Sequence, residues 1–208
     1  MSGILGKKIG MTQVYDKSGK VIPVTVIKVA PCVVTGVKTE SKDGYKALQL
    51  GFEDIAERKL NNPKKAFYKK INVKPKRYLK EIRVENSEDY KVGQEIKPDI
   101  FKTGDKVKVS GLSIGKGFAG AMKRHHFNGG PETHGSNSHR KPCSGGATAA
   151  ARTLKGMRGP GRMGHVLRTA LNLEIVNVDI DKGLLLVKGS LPGPRGNFLV
   201  IRQLTDKK

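Results

Sequence analysis

Four of the chain's five histidines and one of its two cysteines fall within "HHFNGGPETHGSNSHRKPC", residues 125 to 143. Side chains of these types do one of three things: hold a metal, activate a nucleophile, or hydrogen-bond and stack on a polar polymer. For a metal, His125, His126, His134, His139 and Cys143 supply enough donors. His134 and His139 are spaced H-x4-H, but no C-x2-C pair accompanies them, as structural zinc sites require. For a nucleophile, Ser136, Ser138 or Cys143 stands near His139, yet there is no G-x-S-x-G elbow and Glu132 is the only nearby carboxylate to orient a base. That lone acid also excludes paired-carboxylate acid/base chemistry. "GKGFAG", residues 115 to 120, is a literal G-x-G-x-x-G. A dinucleotide site needs a long helix after it and an acid about twenty residues on. Here Gly129, Gly130 and Pro131 interrupt, and the residues near 140 are basic.

The third use needs no special spacing. Arg and Lys grip phosphates, Arg in a bidentate way. Glycine lets backbone N–H groups approach a phosphate. His, Asn and Ser reach 2′-hydroxyls and base edges. Residues 111–170 are made of these types: ten Lys and Arg, one acid, thirteen of the chain's 26 glycines and all five histidines. Only seven of the sixty are Val, Ile, Leu or Phe, below the ~20% under which a charged segment is expected to be disordered. Such a stretch cannot offset about 1–2 kcal/mol of backbone entropy per residue by burial, so it is either flexible when free or ordered by something outside itself. A solvated basic tail would be terminal and glycine-poor, whereas this segment is internal. In "LKGMRGPGRMGH", residues 154 to 165, Lys155, Arg158 and Arg162 recur between glycines that exclude a stable helix; an irregular strand is expected.

The elements that must hold this segment lie on either side. "KVIPVTVIKVAPCVVTGV" (20–37), broken by Pro23 and Pro31, reads as two strands. "YKALQLGF" (45–52) follows the turn signal Asp43-Gly44 and reads as another. "NNPKKAFYKK" (61–70), with Pro63 at a helix start, reads as a short helix. Further strands are expected over 76–85, 105–111, 173–181, 183–190 and 197–203, with turns at Asp181-Lys182-Gly183 and Pro192-Gly193-Pro194. Many short strands with Gly and Pro turns predict a small closed or partly closed β-barrel. Its body would be residues 1–110 and 171–208, with 111–170 inserted.

The whole chain carries a formal charge of +22 over 208 residues, which attracts polyanions. An anionic membrane is the rival to nucleic acid, but no apolar stretch of about eighteen residues or basic amphipathic helix is present. The opening "MSGILGKKIGMTQVYD" is too broken for a secretory signal. Two cysteines make no disulfide framework, which fits a reducing cytosol, and Cys32 reads as a small core residue. A general single-strand chaperone would want aromatic platforms, and the chain has no Trp and only eleven Phe and Tyr.

Three separated stretches, in order, resemble a known family: "GILGKKIGMTQVY", "GLSIGKGFAGAMKRHHFNGGPETHGSNSHR" and "LLLVKGSLPGPRGNFLVI". The chain resembles the large-subunit ribosomal protein L-three family, in its bacterial form, over essentially its whole length. The resemblance implies a mainly β fold with minor helices: a six-stranded barrel of the kind shared with translation factors, bearing a long irregular extension. It implies a structural role without enzymatic activity. By the same resemblance the extension is expected to thread large-subunit ribosomal RNA toward the peptidyl-transferase centre, the barrel to lie near neighbouring ribosomal proteins, and the protein to act early in assembly. The expected setting is the cytoplasmic ribosome, with no membrane contact and no homo-oligomer. No cofactor is expected beyond magnesium as an RNA-bound counterion.

The residues expected to contact RNA are Lys7 and Lys8 on the barrel and, on the inserted segment, Lys116, Lys123, Arg124, His125, His126, His134, Asn137, Ser138, His139, Arg140, Lys141, Arg152, Lys155, Arg158, Arg162, His165 and Arg168. Two positions depart from the family pattern. Lys108 stands where an acid or amide is usual. "KPCSGGATAAARTLKG" carries no glutamine after "SHR", so the methylation known at such a glutamine is not expected.

Overall fold

The computed structural model describes residues 3–142, 144–146 and 151–204. Among the described residues, twelve strands and three α-helices follow in chain order: β1 (Gly3–Tyr15), β2 (Val21–Lys28), β3 (Cys32–Lys38), α1 (Glu40–Asp43), β4 (Ala47–Asp54), α2 (Asn62–Ile71), β5 (Lys76–Arg83), β6 (Glu95–Ile96), β7 (Lys106–Leu112), β8 (Phe118–Ala119), α3 (Ala121–His125), β9 (Gly161–Arg162), β10 (Leu167–Asp179), β11 (Leu184–Lys188) and β12 (Phe198–Gln203). No helix among the described residues is long and apolar enough to cross a membrane.

Six strands close an antiparallel barrel in the order β1-β12-β7-β10-β11-β2. The sequence reading assigned no element to the start of the chain, yet β1 is one of the barrel's two longest strands. Its Gly6, Lys7, Lys8 and Gly10 break the apolar pattern, and Gly6, like Gly3, has a steric reason. A Cβ at Gly3 would lie 2.8 Å from Ile201 O, and one at Gly6 would lie 2.7 Å from Ile27 Cγ2. The strand therefore crosses its neighbours where only glycine fits. It pairs with β12 over Gly3–Lys7 and with β2 from Lys7 to Tyr15, with a bulge between Lys8 and Gly10.

Four other strands do not join the barrel. They form a second antiparallel sheet, β5-β4-β3-β6, which shares its core. Ile4, Leu5, Ile27, Val107, Leu185, Leu199 and Ile201 of the barrel cluster with Val34, Leu48, Leu50, Phe52 and Ile82 of the sheet. Tyr78 of β5 stacks on Phe198 of β12 with ring centroids 4.6 Å apart. Cys32 is fully buried in this core, as its apolar neighbourhood suggested. Burial pushes its thiol up to about 11.

The chain divides into two compact units. One runs up to Leu112 and resumes at Leu167, and contains the barrel and the second sheet. The other is Ser113–Val166. β10 begins at Leu167, earlier than its apolar pattern indicated, because its first residues are solvent-exposed and are made a strand by pairing with β7, Leu167 opposite Leu112 through Ala170 opposite Val109.

Candidate nucleic-acid interface

The unit Ser113–Val166 is built from backbone, glycine and charge. Its two arms run antiparallel at the base. Ser113 N–H donates to Val166 O at 2.9 Å, Lys116 N–H to Met163 O at 2.9 Å and Met163 N–H to Gly117 O at 2.9 Å. β8 then pairs with β9, Phe118 opposite Arg162 and Ala119 opposite Gly161. The close approach is possible because Gly164 faces the Ile114 carbonyl, where a Cβ would collide. Directly after Gly120 comes α3, a single turn closed by His126 in the left-handed conformation. The glycine-rich "GKGFAG" is thus followed by one helical turn and not by the long helix a dinucleotide site requires.

Beyond α3 the chain folds back on itself around Gly129 and Gly130. Gly130 N–H donates to His139 O at 3.0 Å. Side chains at Gly129 and Gly130 would strike the carbonyl oxygens of His139 and Ser138. The His139 ring is held by Pro131 O, 2.9 Å from Nδ1, while Ser136 Oγ accepts from Ser138 N–H at 3.4 Å. His139 therefore fixes the loop and is not paired with a serine hydroxyl as a catalytic base would be. Among the described residues no three His, Cys, Asp or Glu side chains converge as a metal site. Cys143 and part of "KPCSGGATAAARTLKG" lie outside the described residues.

Within this unit the only buried apolar side chains among the described residues are Ala119 and Ala121. Phe118, Leu154 and Met157 are exposed. Lys116, Lys123, Arg140, Lys141, Arg152, Lys155, Arg158 and Arg162 are also exposed, as are His126, His134, Asn137, Ser138 and His165. His125 is half-buried, with its ring centroid 6.2 Å from that of Phe127. Arg124 is used internally: its Nη1 donates to Gly159 O at 2.9 Å, and a side chain at Gly161 would come within 2.5 Å of the same nitrogen. His126, His134 and His165 all have positive φ, 59°, 59° and 50°, so these three mark left-handed turns as well as offering imidazoles. The sequence could not separate those two uses.

The barrel residues expected to touch RNA behave differently. Lys8 is only 9% exposed. Its ammonium donates to Leu191 O at 2.8 Å and Gly193 O at 3.0 Å, and burial lowers its pKa from the ordinary lysine value. Lys8 is a clamp on the turn preceding β12, its ammonium taken up by two backbone carbonyls. The register explains why: Lys8 pairs opposite the fully buried Ile27, while Lys7 pairs opposite the exposed Lys28, and directly opposed residues share a face. Lys7 is half-exposed, with its ammonium 2.7 Å from Glu53 Oε1. Arg168 is exposed but sits on β10 of the barrel, outside the Ser113–Val166 unit. Lys108 is half-buried on β7.

One feature of the barrel unit escaped the sequence reading. Averaged over residues 1–110 the charge looks spread out. In fact residues 58–83 hold eleven Lys and Arg and one acid, while the rest of 1–110 has thirteen basic against twelve acidic residues. A short charge window would have found it.

A small, basic, closed barrel joined to a unit with charge and glycine but almost no apolar core among its described residues is the build of a binding scaffold. Comparison with known proteins makes this specific. The model of the family "Ribosomal protein L3" matches residues 81–184. The chain is 54% identical to the large ribosomal subunit protein uL3 of Carboxydothermus hydrogenoformans, an alignment covering 99% of each chain. It is 50% identical to the protein of the same name from Heliobacterium modesticaldum, over 99% of this chain and 98% of that one. The match in Thermobifida fusca is 51% identical over 97% and 94%. The chain belongs to the ribosomal protein L3 family and is a ribosomal protein, not an enzyme.

Proposed function

We propose that this protein is a structural constituent of the large ribosomal subunit that binds and organises large-subunit ribosomal RNA during assembly. The carrying observation is the unit Ser113–Val166, with nine Lys and Arg against the single acid Glu132 and, among its described residues, two buried alanines for a core. A segment of that kind gains its order from a polyanion, because neutralised charge and released counterions replace the apolar burial it lacks. The exposed Lys116, Lys123, Arg140, Lys141, Arg152, Lys155, Arg158 and Arg162 grip phosphates. His126, His134, Asn137, Ser138 and His165 serve hydroxyls and bases. Arg124 and His139 hold the shape that presents them.

On this reading the extension enters the RNA toward the peptidyl-transferase centre, while the barrel meets neighbouring ribosomal proteins. The protein works as one copy in the cytoplasmic ribosome, and magnesium is present only as a counterion of the RNA. The relatives, named as large ribosomal subunit proteins, support the ribosomal setting.

The test is binding to a large-subunit RNA transcript against unrelated structured RNA of equal length. If six to ten phosphates are contacted, affinity falls by about 10³–10⁵ between 50 and 200 mM salt. Deleting 121–165 leaves the barrel folded and abolishes the RNA ordering seen by chemical probing. Salt-independent binding, or equal retention on unrelated RNA, overturns the proposal. Crosslinks from the extension that map far from the peptidyl-transferase region overturn the placement of its tip. Elemental analysis of the purified protein shows no stoichiometric zinc; a tightly held metal would revive a metal site.

A further inference from the structure

The densest charge in the chain is not on the extension. Residues 58–83 carry eleven Lys and Arg against Glu81, and Glu81 already accepts a hydrogen bond from Tyr45 Oη at 2.8 Å. This strip folds as α2, the turn after it and β5. One buried ring anchors the helix: Tyr68 is 3% exposed and its hydroxyl donates to Lys76 O at 2.9 Å. Asn72 ends the helix in the left-handed conformation, its N–H bonding to the carbonyls of Lys69 and Tyr68. That docking leaves Lys64, Lys69 and Lys70 exposed on α2.

Between α2 and β5 runs a groove of about 580 Å³, whose cations are Lys59, Lys64, Lys76 and Arg77 and which no carboxylate lines. Lys76 is paired with Asp54 at 2.6 Å, and Arg77 lies 3.7 Å from Glu53. Among the described residues, Lys59, Lys64, Lys69, Lys70, Lys74 and Lys80 have no carboxylate within 4.0 Å.

These charges do not serve the fold. The first turn of α2 has no acidic residue and two lysines, Lys64 and Lys65, at the end where the helix dipole favours anions. Adjacent ammonium groups also repel one another. An arrangement that weakens the isolated barrel is maintained by an anionic partner. Lysine is depleted from protein–protein interfaces, whose centres are apolar and aromatic, whereas here it dominates and Phe67, 37% exposed, is the one aromatic ring standing out from the helix. The chemistry is that of sequence-independent phosphate contact.

We propose that α2, Lys59 and the outward cations of β5 form a second RNA-binding surface, on the barrel unit and separate in sequence from the extension, which grips the sugar–phosphate backbone by charge. This rests on the ribosomal-RNA reading above.

The experiment uses the full-length chain carrying Lys59→Gln, Lys64→Gln, Lys69→Gln and Lys70→Gln. Its control carries Lys17→Gln, Lys20→Gln, Lys91→Gln and Lys97→Gln, four exposed lysines elsewhere on the same unit. Circular dichroism checks that both fold. Each is bound to the large-subunit transcript across a salt series and footprinted with hydroxyl radicals. The salt slope of the strip variant falls by about 0.7–0.9 for each phosphate contact removed. One patch of protected nucleotides disappears while the others persist, and the control changes neither. A strip variant indistinguishable from the control overturns the proposal and assigns the surface to an acidic protein neighbour. A wild type without salt-dependent preference for large-subunit RNA defeats the ribosomal-RNA reading and this surface with it.

Discussion

Replacing Lys8 by Met separates a lysine that binds RNA from one that binds its own chain. The Lys8 ammonium is bonded to Leu191 O and Gly193 O, at 2.8 and 3.0 Å. Its backbone is tied to the same region, with Lys8 N–H donating to Asn197 O and Gly196 N–H donating to Lys8 O at 2.7 Å. Met keeps the stem and loses the charge. Two carbonyls then lack their donor, at about 1–3 kcal/mol each, partly offset because no ammonium has to be desolvated. The net loss is about 2–3 kcal/mol, and at about 2–4 °C per kcal/mol for a chain of this size the melting midpoint falls by about 4–12 °C. Thermal melting by circular dichroism reads this, and a salt titration of RNA binding at a temperature where both proteins are folded reads the other half. The salt slope stays at the wild-type value, since no phosphate contact is lost. An unchanged midpoint together with a slope reduced by about 0.7–0.9 would mean that Lys8 faces the RNA, and the clamp reasoning would be refuted.

Gly193 has φ +88°, and a Cβ there would meet Leu112 O at 2.5 Å and collide with the Asn197 amide, which bonds Leu112 O and Pro192 O at 3.0 Å each. Gly193→Ala therefore costs at least the roughly 1–2 kcal/mol of a left-handed alanine, seen as a lower urea midpoint. Gly130→Ala strikes the Ser138 carbonyl; it leaves the barrel's melting unchanged but removes amide-exchange protection at Gly130 and weakens RNA binding. Cys32 has its thiol raised from the ordinary 9.0 to about 11, first by burial, opposed by its hydrogen bond to the Leu5 carbonyl and by the charge of Lys76. Because the folded value lies above the unfolded one, the stability this thiol contributes is intact below pH 9 and is lost as pH rises through about 11. In a Cys143→Ser background, alkylation at pH 8 is accordingly blocked in the native protein and complete in urea.

The amino-acid sequence alone determined those strands whose β-branched runs, bounded by Gly and Pro, state their own period: Val21–Lys28, Cys32–Lys38, Ala47–Asp54 and Phe198–Gln203 stand close to where that pattern put them, whereas the glycine- and lysine-broken β1 carried no such pattern. It also determined that the histidine-rich stretch has no core of its own, since burial cannot exceed the apolar residues available. What it left open was pairing. A strand's pattern names its buried face but not its neighbour, so the division between the closed barrel and the sheet β5-β4-β3-β6 belongs to the tertiary structure. So does the fate of individual polar groups. Lys7 and Lys8 are adjacent and identical in type, yet pairing opposite Lys28 leaves one half-exposed beside Glu53, and pairing opposite the buried Ile27 turns the other onto two carbonyls. His139 and Arg124, polar groups in a basic loop, are turned onto Pro131 O and Gly159 O. The hydrogen-bonding capacity of a side chain is written in its type, but its partner is whatever the folded backbone brings within 3 Å.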